Sequence, residues 1–194
     1  MIKSQIILGM VGKRASGKDV VSRYLKDKFS ADEIVFSDLI REVLKILVIS
    51  EERENISWFI SKMRERFGGG LLVKAAMLKM EEKKAGIVIL NGIRKKDEAE
   101  ILQRKIGKNF FLISVVSTDE NRFKRVKMRE FYGNRKKDEI KPSIEEFLLE
   151  EKGFESENEI EELEKMADYS INNNSNLVDL EIAIGKLMEK LTQK

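Results

Sequence analysis

Gln5-Ile6-Ile7-Leu8-Gly9-Met10-Val11 runs without a break into Gly12-Lys13-Arg14-Ala15-Ser16-Gly17-Lys18-Asp19, and a helical pattern with Val20, Val21, Tyr24, Leu25 and Phe29 on one face follows. An apolar run that meets a glycine-punctuated turn and then a 3.6-residue period reads as buried strand, tight loop and helix. Glycine has no Cβ, so Gly12 and Gly17 admit dihedrals that let backbone N–H groups turn inward and the chain pass close to a bound anion. The helix that follows aims its positive end at that anion, and Lys18 adds a full charge. Gly12, Gly17 and Lys18 meet the G-x-x-x-x-G-K spacing in the strand-to-helix context that a phosphate cradle requires. The bland alternative is a plain strand–helix turn. Ser or Thr is usual after the lysine, where its hydroxyl meets Mg²⁺; here the residue is Asp19, whose carboxylate is still a hard oxygen ligand.

Outward from the loop, short apolar runs recur at Gln5–Val11, Glu33–Phe36, Gly86–Leu90, Phe110–Val116 and Tyr169–Ile171, each followed by a helical pattern. Strands that alternate with helices predict a parallel sheet covered on both faces. Ile56, Ile60, Met63 and Phe67 keep helical spacing until Gly68-Gly69-Gly70 stops them. Ser117-Thr118-Asp119-Glu120 and Ser143-Ile144-Glu145-Glu146 have capping-box spacing and mark helix starts. Leu177, Leu180, Ile184, Leu187 and Leu191 stripe the last helix as a core face. Two stretches read as insertions: residues 42–75, helical throughout, and residues 130–162, highly charged and read as a lid. The core is then 1–41, 76–129 and 163–194, all within one domain.

Composition narrows the chemistry. The chain has 194 residues, 42% hydrophobic and 37% charged, with Lys+Arg 37 against Asp+Glu 34 and a formal charge of +3. Signs are interspersed, so a nucleic-acid tail is not expected. Cysteine and histidine are both absent, which removes disulfides, thiolate metal sites, the usual general base and the Ser-His triad. Carboxylates, cations, backbone amides and a bound metal remain. No apolar run approaches membrane-spanning length, and the first is too short for a secretory core. The expected setting is cytoplasmic, as a monomer or homodimer.

With these segments in hand the chain resembles the nucleoside monophosphate kinase superfamily over nearly its full length. Within it, the chain is similar to an uncharacterised archaeal group described as dephospho-CoA-kinase-like or nucleotide-kinase-like. The Ser16-Gly17-Lys18-Asp19 loop, Met63-Arg64-Glu65-Arg66-Phe67-Gly68 and Asn91-Gly92-Ile93-Arg94 carry that likeness. It implies a P-loop α/β fold of three layers, with a five-stranded parallel sheet in the order 2-3-1-4-5, and ATP with Mg²⁺ as cofactors. Ser37-Asp38-Leu39-Ile40-Arg41 resembles the acceptor-binding segment, which assigns Arg41 to the acceptor's phosphate, and Arg94 becomes the second acceptor-side arginine. Asn91 stands where a metal-shell aspartate is usual, so Asp19 and Asn91 are the candidate metal positions. Arg122-Phe123-Lys124-Arg125-Val126-Lys127-Met128-Arg129 is similar to the helix that clamps the transferring phosphoryl group, with Arg129 and Arg135 the best matches. Ala167-Asp168-Tyr169-Ser170-Ile171-Asn172-Asn173-Asn174 resembles the adenine-side loop of dephospho-CoA kinases.

The expectation is an ATP-dependent small-molecule kinase that holds the donor on Gly12–Lys18 and acts on a nucleoside monophosphate-like acceptor. A hydroxyl acceptor, as in dephospho-CoA kinases, is the alternative; Asp38 then serves as base. Asp38 and Ser37 also read as caps for a helix beginning at Leu39. A nucleotide-binding switch without catalysis is the reading that Asp19 and Asn91 favour. Nucleic-acid binding through Arg94-Lys95-Lys96 and Arg135-Lys136-Lys137 stands against the near-neutral charge. Trp58 and Phe59 are candidates for the acceptor pocket wall, with at least one of them in the core.

Overall fold

The computed structural model describes residues 5–131, 143–153 and 159–193, and of residues 129–131 the backbone alone. Its central strand, β1 (Ile6–Val11), sends Ile7 and Val11 to one apolar layer and Leu8 and Met10 to the other, and all are fully buried. A strand apolar on both sides needs cover on both sides. The chain supplies it in the order α1 (Lys18–Phe29), β2 (Asp32–Val35), α2 (Phe36–Ile46), α3 (Arg53–Phe67), α4 (Gly70–Glu81), β3 (Ile87–Asn91) and α5 (Lys96–Ile106), followed by β4 (Phe110–Val116), α6 (Asp119–Phe131), α7 (Ile144–Lys152), α8 (Ile160–Met166), β5 (Tyr169–Asn172) and α9 (Leu177–Thr192).

The strands form one parallel five-stranded sheet ordered β2-β3-β1-β4-β5, as expected. One layer is α1 and α9, through Val21, Leu25, Leu180, Ile184 and Leu191. The other contains α2, α4, α5 and α8, through Ile40, Leu44, Val73, Leu102 and Leu163. The helix after β1 thus covers one face and the helix after β3 the other. Adjacent strands whose helices leave in opposite directions open a crevice at their carboxyl ends, where such sheets bind ligands.

Local boundaries moved where the core required it. The strand expected through Phe36 ends at Val35, because buried Phe36 already belongs to α2. Helix α2 therefore starts before Leu39, and Ser37 and Asp38 lie in its first turn rather than capping it. The cap of α6 is Thr118, whose Oγ1 accepts from Asn121 N–H, because Ser117 Oγ donates instead to Asn173 O and Asn174 Oδ1. Ser143 caps α7 as its spacing predicts, accepting from Glu146 N–H. Gly68, at φ +75°, ends α3. Phe59 packs on the core while Trp58 is 62% exposed. Leu177 and Phe67 are exposed at the ends of their stripes. Among the described residues no helix is long and apolar enough to cross a membrane.

Ile184 is fully buried between α9 and the sheet, whereas Ile182 is exposed on the same helix. Ile184→Ala is expected to cost about 2–5 kcal/mol and Ile182→Ala less than about 0.5 kcal/mol. Urea unfolding of the two variants reads the difference.

Candidate functional site

Between Val11 and Lys18 the chain must leave a strand, turn and enter a helix. It does so with Gly12 at φ +147°, Gly17 at φ +107° and Ala15 at φ +59°. Neither glycine has room for a side chain: a Cβ on Gly12 would lie 2.4 Å from Val115 O, and one on Gly17 2.0 Å from Asn173 Nδ2.

The loop's carbonyls are all spoken for. Lys18 Nζ donates to Gly12 O (2.6 Å) and Lys13 O (3.1 Å). Arg122 Nη1 donates to Arg14 O (3.0 Å), and Arg125 Nη1 to Ala15 O (3.2 Å) and Ser16 O (3.1 Å). Asn173 Nδ2 also donates to Ser16 O (2.8 Å), and Gly17 O accepts the first bonds of α1. A donor that fixes a carbonyl fixes its peptide plane and so the direction of the neighbouring N–H groups, which is how consecutive amides form an anion nest. Gly17 offers no side chain to cap α1, so the helix's first amides suit a ligand anion. Ser16 Oγ is buried and, among the described residues, has no hydrogen-bond partner. Uncapped amides, an orphan hydroxyl and an ammonium together fit a polyphosphate.

The resemblance pointed to α6 but, within and after it, to Arg129 and Arg135 rather than to the arginines that hold the loop. Arg122 is fully buried; its Nη1 donates to both oxygens of Glu151 on α7 (2.7 and 2.8 Å) and its Nη2 to Asp119 (2.6 Å). Burial alone would weaken its charge, but the bonds to Glu151 and Asp119 outweigh that. Phe147 of α7, also fully buried, lies beneath the guanidiniums of Arg14 and Arg122 (5.5 and 5.3 Å). Arg14 pairs with Glu150 (3.2 Å) and Lys13 with Glu161 of α8 (2.8 Å). Burial holds the Glu164 carboxyl above its usual range, although Lys13 and Lys18 pull it down. Asn173 and Arg125 lie in segments with a sequence signal of their own, but only the fold brings both onto the loop.

The remaining candidates fall into separate groups. Asp38 and Arg41 meet in a 2.6 Å ion pair on the first turns of α2, where Arg41 Nη1 also donates to Ser37 Oγ. Arg94 follows β3, and its N–H donates to Glu98 Oε2 (3.0 Å). Asp19 is exposed on the first turn of α1. Asn91, buried at the end of β3, turns its Nδ2 to Glu33 Oε1 (2.9 Å) and Ser22 Oγ (3.5 Å) on the α1 side of the sheet. Glu33 of β2 pairs with Ile89 of β3, two residues before Asn91 on that strand. The side chain of Arg129 and the whole of Arg135 lie outside the described residues, as does much of the lid span.

No protein-family profile matches the chain. A UPF0200/UPF0201 protein of Archaeoglobus fulgidus is 28% identical over 195 residues, 100% of this chain and 58% of that protein, so the chain spans little more than half of that relative. A UPF0200 protein of Saccharolobus solfataricus is 29% identical over 175 residues, 90% of this chain and 86% of that one. Among solved structures, TT1252 from Thermus thermophilus superposes with a TM-score of 0.61 at 22% identity, covering 97% of this chain and 99% of that one. Shikimate kinase from Bacteroides thetaiotaomicron gives 0.55 at 13% identity, covering 96% and 98%. A gluconokinase from Sinorhizobium meliloti gives 0.53 at 12%, covering 97% of each. The fold is that of the P-loop kinases. In sequence the chain resembles the archaeal UPF0200 proteins.

Gly17→Ala places a methyl against Asn173 at an unfavourable φ. It is expected to lower the melting temperature, as differential scanning calorimetry would show, because a strained residue here must push Asn173 away from the loop. A second outcome concerns acid. Burial raises the Glu33 carboxyl, but bonds from Lys26, Asn91 and Ser22 outweigh it and hold the group below the usual range. A depressed carboxyl stabilises the fold above its unfolded value near ~4.3 and stops doing so as acid protonates it. Wild type should therefore exceed Glu33→Gln in stability at neutral pH, with the gap closing below about pH 4. Urea unfolding across that range measures it, and a pH-independent gap refutes it.

Proposed function

We propose that this protein is a P-loop phosphotransferase that moves the γ-phosphoryl group of ATP to a small acceptor of nucleoside monophosphate type. The observation that carries the reading is the loop from Gly12 to Gly17, whose carbonyls are all engaged by the protein and whose uncapped helix end and orphan Ser16 hydroxyl remain. Donors fixed in advance stabilise charge on a transferring phosphoryl group without reorganising, which is most of what this chemistry asks of a protein. Histidine is not required.

In this reading Gly12, Lys13, Arg14, Ala15, Ser16, Gly17 and Lys18 hold the donor phosphates. Asp19 and the Oδ1 of Asn91 are the oxygens assigned to Mg²⁺, which when bound neutralises phosphate charge. Arg41 and Arg94 orient the acceptor, and Arg129 and Arg135 close over the γ-phosphoryl with the lid span 130–162. One feature favours a nucleotide-binding switch instead. Asn91 is uncharged and its amide is committed to Glu33, which leaves Asp19 as the charged metal position.

Incubation with labelled ATP and a panel of nucleoside monophosphates and dephospho-CoA separates these readings. Transfer to a monophosphate is expected, and Lys18→Ala should lose it by about 10²–10³-fold. Tight ATP binding with no transfer to any acceptor selects the switch. ATP binding that is equal in wild type and Lys18→Ala removes both readings.

A further inference from the structure

A cleft of about 660 Å³ opens between the end of α3 and the start of α5, lined by Arg64, Gly68, Gly69, Lys95 and Lys96 and, just before α8, by Glu159. Its inner wall is an arrangement of donors. Buried Glu98 accepts from the Arg94 and Lys95 N–H groups and from Arg64 Nη2, so the first turn of α5 and the Arg64 guanidinium are locked together. Arg64 is only 11% exposed, and its Nε is buried with no hydrogen-bond partner among the described residues.

Into this corner comes a carboxylate from a distant part of the chain. Glu159 accepts from Lys96 N–H (2.8 Å) through one oxygen and from Lys95 Nζ (3.1 Å) through the other. Burial opposes its charge, but these bonds and the nearby Arg64 hold its carboxyl below the usual range. The helix behind it cannot move easily, because Ile160 and Leu163 are fully buried in the sheet's core layer. The carboxylate itself is about one-third exposed and can swing out. Glu65, Asp97 and Glu100 also line the cleft, so its attraction for anions is confined to this corner.

We propose that the corner formed by Lys96 N–H, Lys95 and Arg64 is a phosphate-binding subsite, and that Glu159 is its resident plug, displaced when a phosphate group enters. A phosphate presents more acceptor oxygens and more negative charge than the carboxylate, so it satisfies the same donors with oxygens to spare for the Arg64 guanidinium that lines the cleft. Its place as the acceptor's phosphate pocket rests on the phosphotransferase reading above; anion binding at this corner does not.

Amide NMR of the full chain, titrated with inorganic phosphate, tests the plug directly. Shifts at Lys95, Lys96 and Asp97 are expected, and Glu159→Gln should bind phosphate roughly tenfold more tightly, the scale of one charge-assisted hydrogen bond given up by the competitor. Arg64→Met in the same background should reverse the gain. Phosphate affinity that is unchanged or weaker in Glu159→Gln, with the spectrum otherwise native, overturns the proposal, as do shifts confined to residues 12–18. AMP giving the same footprint supports the acceptor assignment; phosphate binding with no AMP response overturns that assignment. ATP-induced shifts at residues 12–18 report on the phosphotransferase reading separately, so either idea can fail alone.

Discussion

The structure depends on how the carbonyls of residues 12–17 are held. Each peptide group has one N–H and one C=O on opposite sides, so a loop can offer its amides to a ligand only if its carbonyls find partners elsewhere. Here the partners are costly ones: an ammonium, two guanidiniums and a carboxamide. Charged donors to neutral carbonyls are stronger than amide pairs, and they come from α1, α6 and the segment after β5. The sheet brings these together, because β1 lies beside β4, and β4 beside β5.

That arrangement explains why so many charges are buried around a small loop. Arg122 is enclosed, yet its donors face Glu151, Asp119 and Arg14 O. Removing one partner from such a cluster leaves a buried charge exposed to low dielectric, which is why α6 and α7 are bound to the loop as one unit. Phe147 fills the space beneath Arg14 and Arg122. A cradle of backbone amides and a shell of buried ion pairs are two sides of one device: the shell sets the direction, and the cradle carries the consequence.

The carboxylates of α7 and α8 extend the same logic to the rim. Glu150 meets Arg14, Glu161 meets Lys13, and Glu159 meets Lys95 and the start of α5. Cations gathered around one loop need counter-charges, and the chain supplies them from segments it places over the strand ends. An acidic edge of this kind lowers the affinity for anions while keeping the cationic groups in position.

The fold was legible in the sequence because its signals are local. Strand, glycine loop, helix and the alternation that follows are periodic patterns, and parallel pairing with β1 in the middle follows from them together with the resemblance to known kinases. The turn from Gly12 to Lys18 was legible for the same reason: its residues are contiguous. Boundaries were less so, as Phe36 shows, since a buried aromatic can move a helix start. The site's second half was not legible. Arg122, Arg125 and Asn173 sit in segments that the sequence marked, but which of several arginines reaches a carbonyl depends on helix rotation against the sheet, and that is set by packing. Glu159 carries no signal at all: an exposed-looking glutamate in an acidic stretch meets Lys96 only because α8 is anchored beside α5. Contacts between residues 63 apart in sequence belong to the tertiary structure, because no local period can encode them.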